Sequence, residues 1–329
     1  MERREYDSSV DQIRSIEITG FRGIRRGLIE SLADVNILVG QNNSGKTTVG
    51  EAIARAACCA AGSRIDPLGR DRIAPWTIPR HEGASDSGLA LWYRSDGSQE
   101  MRVRVDDGKG TNFGFSAQPV VGANPTIGGG VVSSTSLREF AAGVTLFSAA
   151  DANEEMIERG VWRRLLSTRS DKALAESLRT MFDMPNLERL EFPFDAKLTL
   201  VFPDHVLSLD SQGEGTRAAV RFLLVLSSLR NTLLMFEHPE SHQHPGSLER
   251  FAEAVCRQAR DQEVQLLLTT HSADCVRAFF KGAGSAHSEA ALFHLSLREG
   301  ELGVRRLQEE GVTALEGMGT DVRFLDLYE

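Results

Sequence analysis

"VNILVGQNNSGKTTVGEAIARAACCA", residues 35 to 60, decides how the rest of this 329-residue chain is read. Val35 to Val39 is a largely apolar run of strand length, broken only by Asn36, that ends at Gly40. From Gly45 onward Val49, Ile53 and Ala57 recur at helical spacing, so the segment reads as strand, glycine loop, helix. Its loop, Gly40 to Thr47, fits G-x-x-x-x-G-K-[ST] at each fixed position. Backbone N–H groups in such a loop and at the start of the following helix point inward and favour an anion. Gly45 lets the backbone approach closely, Lys46 reaches outer phosphates, and the Thr47 hydroxyl ligates Mg²⁺. A chance glycine turn would lack the strand before it and the helix after it. A nucleoside triphosphate site is expected.

Outward from this core, Ile13, Ile16 and Ile18 mark a strand and "GFRGI" a turn. A net charge of -9 argues against non-specific coating of nucleic acid, leaving only local basic patches for that role. The 41% hydrophobic and 25% charged content is that of a soluble globular protein. Cys58, Cys59, Cys256 and Cys275 form no CxxC pair and read as buried small hydrophobes in a reducing compartment. The charged start lacks a signal peptide's apolar region, and "FLLVLSSL" is too short to cross a bilayer, so a cytoplasmic protein without membrane contact is expected.

Residues 62 to 135 are expected to form a proline-rich connection, a hairpin around Asp96-Gly97 and a Gly/Ser-rich loop. Residues 136 to 204 read as a helical lobe without a heptad repeat. In the last third, "TLLMFE", "VQLLLTT" and "AALFHLSL" are apolar strands that alternate with amphipathic helices. This pattern predicts an α/β fold with a mainly parallel sheet flanked by helices.

A P-loop protein needs a second acid at a strand end to hold Mg²⁺ through water, and "LLMFE" supplies Glu237. "TTHS" places His271 just after another strand, at the sheet edge where α/β ligands bind. "LDSQGEGTR", Leu209 to Arg217, opens a helix whose N-terminus could cradle an anion.

The order of "FRGI", "GQNNSGKTT", "SQGEG", "LLMFEHPESHQHP" and "LLLTTHS" resembles the ABC-type ATPase heads of the SMC, RecF and OLD class. It is most similar to the compact OLD-like ATPases often found in antiphage defence and toxin-like systems. The likeness covers roughly residues 10 to 55 and 205 to 275, and "GTDVRFLDLYE" resembles how such heads end. It implies a single head whose nucleotide core is formed by residues 1–61 and 205–329. Gly40 to Thr48, including Asn42, Asn43 and Ser44, would be the Walker A loop and Glu237 the Walker B acid. Ser211, Gly213 and Glu214 would form the signature turn that reaches a γ-phosphate held by a second subunit. Ser241 to Pro245 would belong to the D-loop, His271 would sense the γ-phosphate, and Arg22 would lie near the nucleotide. ATP, Mg²⁺ and a head-to-tail dimer are implied, or a higher oligomer.

One stretch departs from the family. Where acid, acid, Pro, Glu is usual, the chain reads Glu237, His238, Pro239, Glu240. His238 could act as general base, Glu240 could take over, or hydrolysis could be slow enough to make an ATP-held switch. Slow hydrolysis is favoured, because an imidazole orients water less reliably than a fixed carboxylate. Zinc on His238, His242 and His244 is disfavoured, since no cysteine or carboxylate pair completes a usual ligand spacing. Arg159, Arg163, Arg164 and Arg169 could meet DNA phosphates, but a solvated face paired with Glu154, Glu155 and Glu158 is the simpler reading. The residues after His271 are expected to continue the sheet rather than form the acidic nuclease domain of OLD proteins. A nuclease or toxin effector is therefore expected on another chain. A non-hydrolysing scaffold and a RecF-like DNA-repair ATPase are the alternatives.

Overall fold

The computed structural model describes residues 12–63, 93–95, 99–117, 130–148, 161–162, 165–166, 171–193, 197–241 and 243–328. The chain opens with β1 (Ser15–Phe21), β2 (Ile24–Glu30) and β3 (Val35–Val39), followed by α1 (Lys46–Ala61). Then come β4 (Met101–Asp106), β5 (Asn112–Ala117), β6 (Val131–Val132), α2 (Thr135–Gly143), β7 (Thr145–Phe147) and α3 (Asp171–Phe182). Strands β8 (Arg189–Glu191), β9 (Thr199–Val201) and β10 (Val206–Ser208) lead into α4 (Glu214–Ser227). The last part alternates β11 (Thr232–Glu237), α5 (Pro245–Asp261), β12 (Val264–Thr269) and α6 (Ala273–Ser285), and ends in β13 (Ala290–Arg298), β14 (Glu301–Leu307) and α7 (Glu309–Gly317).

Among the described residues one large sheet runs in the order β6-β5-β4-β1-β2-β14-β13-β3-β12-β11-β7. The half that carries the glycine loop is parallel, with β13, β3, β12, β11 and β7 all pointing the same way. The other half is largely antiparallel. Side-chain alternation splits each central strand between two cores. Ile37, Leu234, Phe236, Leu266 and Leu268 face α3 to α6. Leu38, Leu233, Met235 and Leu267 face α1 and α2. Apolar residues on both faces explain why these strands read as continuous runs.

The hairpin turn expected at Asp96-Gly97 lies outside the described residues. Among those described, β4 pairs with β1 and β5, the β4–β5 hairpin turns at Asp107 to Thr111, and Tyr93–Ser95 form a short 3₁₀ turn. Asp107 decides this, because its carboxylate accepts hydrogen bonds from the Lys109 and Thr111 N–H groups and closes the loop. Within residues 136–204, expected to be helical, β7 joins the large sheet beside β11, and β8 and β9 form a small antiparallel sheet with β10, which lies just beyond that stretch. β7 spans only three residues, too few to show a periodicity. The four arginines 159, 163, 164 and 169 lie outside the described residues, as does most of the 62–92 connection. No helix among the described residues is long and apolar enough to cross a membrane.

The N-terminal strands are locked to the parallel half by one buried amide. Gln265 on β12 is 1% exposed. Its Nε2 donates to the carbonyls of Ile13 (2.9 Å) and Ala33 (2.7 Å), and its Oε1 accepts from the Ile13 N–H (3.0 Å). Gln265→Leu keeps the volume but leaves the buried Ile13 N–H and carbonyl unpaired, while the Ala33 carbonyl still accepts from Asn36 Nδ2 (2.8 Å), so it should cost about 2 kcal/mol in urea unfolding. A loss below about 1 kcal/mol would show that water or rearrangement satisfies them.

Candidate nucleotide site

The site begins with strand register. Leu38 on β3 lies opposite Thr269 on β12, which lies opposite Glu237 on β11. Three parallel strands therefore end level, and the residues that follow them meet at one sheet edge: Gly40 to Thr47, His238 to Glu240, and Thr270 to His271. Phe236, one residue before Glu237, is anchored on the opposite face by Phe222, stacked at 3.9 Å, and by edge contacts with Phe147 and Phe251. Alternation then turns the Glu237 carboxylate toward the face of Met235 and α1.

At the glycine loop, Gly40 has φ 138 and a Cβ there would lie 2.2 Å from the Leu295 carbonyl, so only glycine fits. Gly45 caps α1 at φ 95 without a side-chain hydrogen bond, and the first turn of α1 contains no acid. The first N–H groups of α1 are thus not taken by a capping side chain, and the helix presents its positive end. Lys46 is 7% exposed and folds back into the loop, donating from Nζ to the carbonyls of Gly40 and Gln41 (both 2.8 Å) and to Ser44 Oγ (3.2 Å). Burial lowers its ammonium pKa to about 8. Asn42, Asn43 and Thr47 are exposed, Thr48 is half-buried, and Asn43 takes a left-handed conformation at φ 64. A hydroxyl at Thr47 and a carboxylate at Glu237 are the hard oxygen donors that suit Mg²⁺.

The second wall is the departing stretch. His238 adopts φ 54, a region histidine tolerates better than most side chains, and its N–H donates to the Thr269 carbonyl (2.9 Å). Its Nδ1 lies 3.6 Å from Glu240 Oε1, and its ring stacks on His271 with centroids 5.5 Å apart. The Glu240 carboxylate raises the His238 pKa above its ordinary range; burial and Lys46 oppose this, and Glu237 adds to it. Burial works to raise the Glu240 pKa, but His238, backbone hydrogen bonding and the Thr270 side chain outweigh it and hold the carboxyl ionised. Burial, then Lys46 and His238, lowers the His271 pKa. His238 and Glu240 therefore form a charge-matched pair, and His271 favours a neutral ring.

The remaining expected residues fall at different places. Arg22, left-handed at φ 50, is paired through Nε with Glu51 Oε2 (2.6 Å), so it neutralises a buried carboxylate in α1. Ser211, Gly213 and Glu214 are exposed at the start of α4, and Ser211 Oγ donates within its own turn to the Ser208 carbonyl (2.7 Å). Their tie to the acid strand runs through Gln243, whose Nε2 donates to the Gly215 carbonyl (2.9 Å). His242 lies outside the described residues. His244 caps α5, its Nδ1 accepting from the Gly246 N–H (3.1 Å), which occupies the lone pair that a metal would need. Sequence reasoning missed Thr270, Glu51 and Arg323, whose roles depend on packing partners far away in the chain.

The family model described as "AAA domain, putative AbiEii toxin, Type IV TA system" matches residues 162–274, the stretch that holds Ser211, Glu237 and His271. The uncharacterized protein MJECL11 of Methanocaldococcus jannaschii is 30% identical over 113 residues, which is 34% of this chain and 98% of that protein. Among solved structures, an SMC head bound to the C-winged helix domain of ScpA superposes with a TM-score of 0.58 at 14% identity, covering 91% of this chain and 98% of that one. The SMC head domain from Thermotoga maritima gives 0.54 at 15% identity over 90% and 99%. An SMC head from Pyrococcus furiosus with an extended coiled coil, bound to the C-terminal domain of ScpA, gives 0.55 at 13% identity over 94% and 99%. The chain belongs to the same family as the archaeal protein, and its α/β fold is like that of an SMC head.

The lowered Lys46 pKa has a measurable consequence. Phosphate favours the charged ammonium, so nucleotide binding above about pH 8 should take up a proton, and affinity should fall as pH rises through that value. Below about pH 7 the group is already charged and adds no pH dependence. Calorimetry at about pH 8.5 in two buffers of different ionisation enthalpy reads the uptake. Equal heats in the two would show that Lys46 is already fully protonated there.

Proposed function

We propose that the chain is a single ATPase head, with residues 1–61 and 205–329 as its nucleotide core, that binds Mg·ATP and dimerises on it. The observation that carries this reading is the meeting of caged Lys46, Glu237 and His271 at one edge of three level parallel strands. The α1 N-terminus and Lys46 would hold the phosphates, with Asn42, Asn43, Ser44 and Thr48 completing the loop. Thr47 and Glu237 would hold Mg²⁺, which supplies charge neutralisation on the outer phosphates. His271 would sense the γ-phosphate. Ser211, Gly213 and Glu214 stand on an exposed helix start suited to a γ-phosphate bound by a second copy in a head-to-tail dimer or higher oligomer.

In this reading hydrolysis is slow. A raised His238 pKa leaves the ring protonated over more of the neutral range, and a cation cannot accept a proton from water. Glu240 is engaged with His238 and Thr270 instead of standing free. The same ion pair favours the second reading, a non-hydrolysing ATP-held scaffold. In either case the head would gate a separate effector, a nuclease or toxin, in an OLD-like antiphage system in the cytoplasm. Support for an effector comes from the toxin named in the family description and from the ScpA partner of the SMC heads. A RecF-like role on DNA is the remaining alternative.

The test is the time course of ADP formation by the purified chain with Mg·ATP. Lys46→Ala should abolish binding or turnover, and unchanged affinity and rate would remove the P-loop assignment. His238→Glu should raise turnover about tenfold or more, although glutamate fits φ 54 less well. A large fall in rate instead would make His238 the base.

A further inference from the structure

The loop that carries His271 is held by its backbone, while its side chain is exposed. The His271 N–H donates to Glu240 Oε1 at 3.4 Å, and its carbonyl accepts from Arg323 Nη1 at 2.7 Å. Arg323 is itself fixed by a fork: its Nε donates to both Asp321 oxygens (2.9 and 3.0 Å), and Nη2 closes the second arm. The surrounding 3₁₀ segment, Val322–Tyr328, is seated by the buried side chains of Val322 and Leu325. It is also tied back to β13. Asp326 Oδ1 lies 3.4 Å from Nε2 of His294, and Arg298 Nη2 donates to the Asp326 carbonyl (3.2 Å). His294 is in register with Val39, the residue before Gly40. The segment therefore bridges the strand that flanks the glycine loop and the loop that carries His271.

If Arg323 only anchored the tail, Val322 and Leu325 would already suffice, and nothing would require the guanidinium to reach the His271 carbonyl. Exposed loop ends sample several orientations, and a ring that must meet one phosphate oxygen gains from being held beforehand. The planar guanidinium can grip Asp321 with two nitrogens and still donate with the third, which an ammonium cannot reproduce in one geometry.

We infer that Arg323 is a positioning residue that holds His271 in place to read the terminal phosphate, and that the C-terminal segment thereby belongs to the nucleotide site. This rests on the assignment of His271 as the γ-phosphate sensor. The full chain is titrated calorimetrically with Mg·AMPPNP and with Mg·ADP. Arg323→Ala should lower the preference for Mg·AMPPNP about tenfold and leave Mg·ADP affinity within about twofold, with Arg323→Lys recovering only part. In a His271→Ala background Arg323→Ala should cost nothing more, because both changes remove one interaction. Where Arg323→Ala lowers the melting temperature, Asp321→Asn, which loosens the fork from outside, should give the same loss of preference. Full preference in the Arg323 and Asp321 variants, or an equal added loss without His271, overturns the inference. A wild-type chain that shows no preference, or whose preference survives His271→Ala, overturns the sensor assignment itself, and the inference falls with it.

Discussion

Three parallel strands that end at the same level are the constraint on which the rest of this molecule depends. Leu38, Thr269 and Glu237 lie side by side, so every residue just beyond them is delivered to one edge of the sheet. A shift of one residue in either pairing would turn the Glu237 carboxylate onto the opposite face and place Phe236 beside the glycine loop. The phenylalanine cluster of Phe147, Phe222, Phe236 and Phe251 opposes that slip, because it would pull Phe236 out of its stack with Phe222 and its edge contacts with Phe147 and Phe251. Apolar packing on one side of the sheet thus fixes polar chemistry on the other.

Charge at that edge is arranged to wait for an anion. A buried ammonium is costly, and Lys46 meets the cost by donating to loop carbonyls while its pKa falls. A phosphate offers a better partner, and the uncapped start of α1 points the same way. Opposite stands His238 against Glu240, a pair whose shifts favour mutual charge. Such a pair stabilises the turn below the His238 pKa and loosens as pH rises through it, and while it is formed neither member is a free base.

The strand–loop–helix around Gly40 to Thr47 was legible because local rules write it: an apolar run, glycines where φ is positive, and helical spacing after Lys46. Glu237 and His271 were legible because each follows an apolar strand. The middle was not. The β4–β5 hairpin turns at Asp107, whose carboxylate caps the loop through two N–H groups, a role that its place in the sequence does not single out. Strand β7 is only three residues long and exists because β11 offers it an edge. Arg323 lies 52 residues beyond His271, and no local pattern links them.

The sequence by itself determined which chemistry this protein can hold, because a phosphate loop is a matter of backbone conformation and neighbouring residue type. It also determined the departure at His238, which is a matter of identity alone. Tertiary structure decided what surrounds that chemistry: that His238 pairs with Glu240 and stacks on His271, that Arg22 is taken by Glu51, and that Arg323 holds the His271 carbonyl. Apart from His238 and Glu240, these pairings join residues well separated along the chain. Only the register of the sheet and the burial of its two faces bring them within hydrogen-bonding reach.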